Sequence, residues 1–219
     1  MNGGLYPDPR DLFGITSPYA FSVDDLELFG FRAVLDWKPD NPIELPDHIE
    51  YIHVLKVSDA LYDSNLASLP TIVPSNLGEV WIIGNEPDRF CFQDGISPEV
   101  YAQRYFTLAT QIRSLDPSAK IGFGSIVQPT PIRIRYLQRV LDELTVQAGG
   151  NQNNARSLID IWSIHAFILN EHPFDWGAGV PVGFYTYNPA WFGNGDEYFF
   201  PSECSDDAVY PNDILDRIP

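Results

Sequence analysis

The chain has 219 residues, 44% of them apolar and 20% charged, which suits one sizeable globular core and excludes disorder throughout. Thirteen basic against thirty acidic residues give a net charge of -17, a field that repels phosphate backbones and anionic lipid surfaces. Nucleic acid is therefore a poor partner, and no apolar run approaches the roughly twenty residues of a membrane span.

The start, Met1 to Gly14, lacks the basic-then-apolar layout of a signal peptide, so location stays open. Cys91 and Cys204 lie far apart without CxxC or metal-type spacing. That argues against a structural zinc site and leaves open whether the two pair. Five Trp, eleven Tyr and fourteen Phe exceed what a small core requires, and sugar rings often stack on such faces. An aromatic core is the equal alternative.

In chain order, Ile15-Thr16 opens a first strand. Ser22 with Asp24 and Asp25 reads as the capped start of a short helix carrying Leu26, Leu28 and Phe29 and stopped by Gly30. Phe31 to Trp37 and Ile49 to Val57 read as the second and third strands, leaving through Asp36-Trp37 and Ser58-Asp59. The fourth, Val80-Trp81-Ile82-Ile83, runs into Gly84-Asn85-Glu86-Pro87-Asp88, where proline ends sheet pairing and leaves an amide and a carboxylate at the strand's C-terminal end.

Ser97-Pro98-Glu99 starts a helix with the stripe Tyr101, Tyr105, Leu108, Ile112 and Leu115, ended by Asp116-Pro117. Ile121 to Val127 is a fifth strand closed by Gln128-Pro129. Thr130-Pro131 opens a helix with the stripe Ile134, Leu137, Leu141 and Leu144, ending near Gly149-Gly150. Residues 151–157 read as a polar connector, and Ile159 to Ile164 as a sixth strand that delivers His165. Residues 172–211, rich in Gly, Pro and aromatics, read as a long ordered loop, and Asp213 to Ile218 as the first turns of a helix.

Near-continuous apolar strands alternating with helices predict an α/β protein with a parallel sheet, a single domain over residues 1–219. Polar residues gather at the strand exits, the edge where such sheets place their sites. Neither GxGxxG after the first strand nor GxxxxGK[ST] occurs, which weakens a nucleotide-binding reading.

The run Trp81 to Asp88 resembles the Asn-Glu-Pro signature of retaining glycoside hydrolases built on the (β/α)8 barrel, in which the glutamate closing the fourth strand is the acid/base. Leu35-Asp36-Trp37 and Ile164-His165-Ala166-Phe167 also resemble that superfamily, in particular the glycoside hydrolase catalytic-core proteins related to endo-β-glucanases. The resemblance spans about residues 14 to 176. It implies a TIM (β/α)8-type barrel, here incomplete with about six parallel strands, acting on O-glycosidic bonds of a β-glucan-like poly- or oligosaccharide without metal or other cofactor. Glu86 would be the acid/base, Asn85 would bind the hydroxyl next to the anomeric carbon, His165 would line the subsite, and Asp36 and Trp37 would bind substrate.

In such an enzyme a carboxylic acid protonates the leaving oxygen while a second carboxylate, roughly 5–5.5 Å away, attacks the anomeric carbon. The acid needs a raised pKa, from an apolar surround and the neighbouring anion; Trp81 and Phe90 flank Glu86 in sequence as sources of that surround. The second carboxylate belongs at a seventh-strand glutamate, and no apolar run of that kind follows His165. Glu171 is as readily a solvent-facing acid as a substitute nucleophile. With barrels of this kind typically about 250 residues long, the chain is expected to lack strands seven and eight. If it ends so, the first and sixth strands lack partners, which predicts self-association and little hydrolysis. The alternative is a carbohydrate-binding relative that does not cleave. A non-carbohydrate α/β enzyme would need a nucleophile or cofactor motif that the sequence does not display.

Overall fold

The computed structural model describes residues 14–16, 22–40, 44–89, 93–169, 178 and 181–184. Six strands, β1 (Gly14–Thr16), β2 (Ala33–Leu35), β3 (Glu50–Leu55), β4 (Val80–Ile83), β5 (Lys120–Phe123) and β6 (Ile161–Trp162), pair in sequence order. Every pairing is parallel. The sheet is curled into a half-barrel, and the crossovers carry helices α1 (Val23–Phe29), α2 (Tyr62–Ile72), α3 (Pro98–Leu115), α4 (Pro131–Gln147) and the short α5 (Gln152–Arg156). Sequential parallel order brings all the strand exits to one edge, as repeated βα units require.

Strand alternation sorts the core into two faces. Val54, Val80 and Ile82, with Leu35, Ile52 and Ile161 against them, form a small cluster on one face of the sheet. The larger core joins Leu55, Trp81, Ile83, Ile121 and Phe123 on the other face to the helices, above all Tyr101, Tyr105, Leu108 and Ile112 of α3 and Tyr136, Val140 and Leu144 of α4. Trp81 belongs to this helix-covered face, its indole stacked on His53 with ring centroids 3.9 Å apart. Its register, rather than its closeness in sequence, therefore removes it from the exit where Glu86 stands.

The helix starts follow their capping chemistry. Ser22 and Asp25 form a reciprocal capping box on α1, and Gly30 closes that helix at φ 73°. Ser97 Oγ accepts from the Val100 N–H at 3.3 Å, with Pro98 in the first turn of α3. Four elements differ from the sequence reading. Helix α2 was not expected: Tyr62, Leu66, Leu69 and Ile72 face the core at helical spacing, but Pro70 lies inside the helix and reads in sequence as a break. Residues 152–156 form α5 rather than a plain connector. In α4 the inward stripe is Ile132, Arg133, Tyr136, Val140 and Leu144, whereas Ile134 is 47% exposed, because a buried ion pair turns Arg133 inward. Finally, β6 pairs only over Ile161–Trp162, and Ile164 beyond it is 80% exposed.

Among the described residues no helix is long and apolar enough to cross a membrane. Cys91, Cys204, Phe90, Glu171 and the expected loop and terminal helix beyond residue 184 lie outside the described residues.

Candidate functional site

The exits of β4 and β5 are locked together before any reactive side chain is placed. Gly84 has φ +88°, and a Cβ there would lie 2.8 Å from Tyr101 Cε2; a Cβ on Gly124 would lie 2.4 Å from the Gly84 carbonyl oxygen. Only glycine fits either position. The Tyr101 hydroxyl occupies the space so opened, donating to the Ile83 carbonyl at 2.7 Å and accepting from the Gly124 N–H at 3.0 Å. One side chain from α3 thus satisfies backbone groups from two adjacent strands.

From this base the chain turns to present Glu86. Its N–H donates to the Ser125 carbonyl at 2.9 Å, and its own carbonyl accepts from Arg89 N–H at 2.9 Å, closing a turn with Pro87 in the position that its fixed φ suits. The Glu86 side chain is buried, 3% exposed. Its Oε1 meets His165 Nδ1 at 2.9 Å and its Oε2 meets Arg89 Nη1 at 3.3 Å. Against an ionised carboxylate, Nδ1 is the protonated nitrogen of His165. Burial, the largest influence on Glu86, pushes its carboxyl up, but His165 and Arg89 together outweigh it and hold the group below the ordinary glutamate value. This reverses the raised pKa expected from sequence. Both carboxylate oxygens face cationic or N–H partners.

Asn85 is set by the segment that follows. Asp94 is buried and spans two exits, its Oδ2 accepting from Asn85 N–H at 2.7 Å and its Oδ1 from Ser58 N–H, after β3, at 3.1 Å. Burial pushes the Asp94 carboxyl up, against the pull of those N–H donors and of Lys56. Gln93 Oε1 accepts from Asn85 Nδ2 at 2.9 Å and from Lys56 Nζ at 3.1 Å. The Asn85 amide is thereby oriented, with Oδ1 turned away from the Gln93 bond.

His165 is held from β5. The Gln128 amide bonds the Leu169 backbone in both directions, Nε2 to the carbonyl at 2.9 Å and Oε1 from the N–H at 2.7 Å. Ser125 Oγ and Ser163 Oγ meet at 2.5 Å, bracketing His165 between two ties to the segment that follows β5. Phe167 stands edge-on to its ring at 5.2 Å.

Asp36 and Trp37 stand at the exit of β2, two strands from Glu86 in the sheet order. Asp36 is buried and accepts from the Tyr51 hydroxyl and from Lys38 N–H, with the Lys38 ammonium 3.6 Å away. Burial and Asp36 both push the Tyr51 hydroxyl far up, keeping it a donor. Asp36 thus joins β2 to β3. Trp37 is 38% exposed at φ +59°, a backbone conformation unusual for a bulky residue, and it offers an accessible ring at the same sheet edge as Glu86.

Glu86, Asn85 and His165 are therefore brought together, and Asp36 and Trp37 share their edge. Arg89, Gln93, Asp94 and Lys56 were not singled out from sequence. No motif marks them: Arg89 meets Glu86 within its own turn, while Gln93 and Asp94 meet Asn85 after β4 and Lys56 and Ser58 after β3. Among the described residues no three His, Cys, Asp or Glu side chains converge as metal ligands would. No family model matches the chain, and comparison with curated proteins and with solved structures gives no match.

Proposed function

We propose that the chain carries the acid/base half of a retaining glycoside hydrolase on a (β/α)8-type barrel, acting on a β-glucan-like saccharide. The observation that supports this most is the buried carboxylate of Glu86, at the end of β4 and hydrogen-bonded by His165 from the end of β6. In this reading Asn85 receives the sugar hydroxyl beside the anomeric carbon, and Trp37 supplies a stacking face at the rim.

The Oε2 side of Glu86, where Arg89 is the longer and weaker partner, is the side a glycosidic oxygen takes. Displacing Arg89 removes a positive neighbour, and the negative charge of a second carboxylate raises the Glu86 pKa further. Glu86 then gives its proton to the leaving oxygen as the C–O bond breaks and the second carboxylate bonds the anomeric carbon. In the second half Glu86 takes a proton from the water that releases the sugar. His165 stays on Oε1 and fixes the carboxylate's direction through both steps. The second carboxylate is not identified among the described residues.

A specific observation favours a second reading, a saccharide-binding site without cleavage. Glu86 in its described setting is held as an anion, suited to accepting hydrogen bonds from sugar hydroxyls rather than to donating a proton. Incubation with β-linked glucan oligosaccharides separates the two. Cleavage lost in Glu86→Gln supports the hydrolase; binding by calorimetry without cleavage, weakened in Asn85→Ala, supports the binding site. Neither binding nor cleavage overturns both.

A further inference from the structure

Glu86 adopts a backbone conformation that its side chain disfavours. Its φ is +46°, in the left-handed region, and a non-glycine residue persists there only where its surroundings over-determine it. Three backbone bonds act at the residue itself or beside it: Asn85 N–H to Asp94, Glu86 N–H to the Ser125 carbonyl, and Arg89 N–H to the Glu86 carbonyl. The Glu86 bond to Ser125 fastens the turn at one point to the segment after β5, and one such point leaves it free to pivot there.

A second tie, which fixes its orientation, comes from Asp88, inside the turn and fully buried. Its Oδ1 accepts from Val127 N–H at 3.1 Å, just past β5. Its Oδ2 accepts from Arg133 Nη1 at 2.5 Å, and the same Nη1 donates to the Asp88 main-chain carbonyl at 3.1 Å. Arg133, also fully buried, belongs to the first turn of α4. A single residue therefore ties the turn after Glu86 to the β5 exit and to a helix start.

Packing alone does not account for the pair. Two buried charges stabilise a fold no better than apolar residues of the same volume. What they add is direction: a planar guanidinium bonded to both the side chain and the main chain of one residue restricts that residue to one orientation. We propose that Asp88, through Arg133, is the positioning residue of Glu86, holding the left-handed turn that aims the Glu86 carboxylate at His165. The inference rests on Glu86 being the working carboxylate for its catalytic meaning, but its test reads geometry rather than turnover.

The test uses the full chain with 13C-labelled glutamate side chains, the Glu86 signal being assigned by its loss in Glu86→Gln. In Asp88→Asn the Glu86 titration midpoint moves up toward that of an ordinary glutamate, because the carboxylate no longer meets His165 squarely. The double variant Asp88→Asn with Arg133→Met removes both buried charges together and covers the case in which the single variant fails to fold; it shows the same displaced midpoint. An unchanged midpoint in a folded variant overturns the proposal. Strain is read separately. Glu86→Gly is more stable than Glu86→Ala in the otherwise natural chain, and the difference shrinks in the double variant; equal stability of the two in the natural chain overturns the proposal. Absence of hydrolysis leaves both readouts standing, so failure of the hydrolase reading and failure of this one are distinguishable.

Discussion

His165 Nδ1 lies 2.9 Å from Glu86 Oε1, so that residues 79 positions apart share one hydrogen bond. The contact joins the exits of β4 and β6 across that of β5, and it supplies the largest of the influences that hold the Glu86 carboxyl down. Replacing His165 by Ala raises the Glu86 titration midpoint. Arg89→Gln, removing the longer contact at 3.3 Å, raises it less. Carbon-detected titration of the glutamate carboxyl checks both, and a midpoint unmoved in His165→Ala contradicts the assignment of that influence.

The same shift fixes a pH dependence. The folded-state pKa of Glu86 lies below its unfolded value, ordinarily about 4.3, so its ionised contacts contribute stability in full above that value. The contribution is lost as pH falls through the folded pKa. The stability gap between the natural chain and Glu86→Gln is therefore widest near neutrality and narrows on acidification below about pH 4.3. Urea unfolding of both proteins across that range measures it; a gap that widens toward acid reverses the sign and contradicts the account.

Arg133 and Asp88 make a sharper stability prediction, since each is fully buried against the other. Arg133→Met alone leaves Asp88 without its counter-charge and costs about 3–5 kcal/mol. Adding Asp88→Asn recovers most of that loss, because the second change removes the stranded charge. A non-additive double-mutant cycle in denaturant unfolding is the expected result.

Tyr101→Phe removes the hydroxyl that bonds both the Gly124 N–H and the Ile83 carbonyl, but those two groups still bond each other at 3.0 Å, so the cost is about 0.5–1.5 kcal/mol. Gly84→Ala meets strain and the Tyr101 ring together, whereas at Gly149 the same φ sense is found but nothing lies within 4 Å of a Cβ. Gly84→Ala is accordingly the more destabilising of the two in thermal unfolding, and Gly149→Ala costs about 1–2 kcal/mol from backbone strain alone.

These contrasts show what sequence made legible. Helix α3 was readable because Tyr101, Tyr105, Leu108 and Ile112 recur at helical spacing and all four are buried. Helix α4 was placed correctly, and Leu137, Leu141 and Leu144 of its expected stripe pack on the core, but Ile134 is exposed: hydrophobicity favours Ile134, and only the distant Asp88 explains why its neighbour Arg133 points inward. Helix α2 has its stripe in Tyr62, Leu66, Leu69 and Ile72, but Pro70 within it reads as a helix breaker. At the site, Glu86 and His165 stood out because each follows an apolar strand. Asp94 and Gln93 did not, since their significance depends on a loop returning to strands that sequence spacing does not reveal. The Glu86 pKa was misjudged for a related reason: burial was visible in the sequence, but the opposing partners His165 and Arg89 act through three-dimensional contact.

The central claim, that Glu86 is an acid/base, is tested most directly with Glu86→Ala and two aryl β-glucosides, one whose dinitrophenolate leaves without protonation and one whose aglycone needs the acid. The account predicts a loss of about 10²–10⁴ on the second substrate, a far smaller loss of the first step on the dinitrophenyl glucoside, and acceleration by azide to give a β-glucosyl azide of retained configuration. Equal losses on both substrates, with no response to azide, would contradict it.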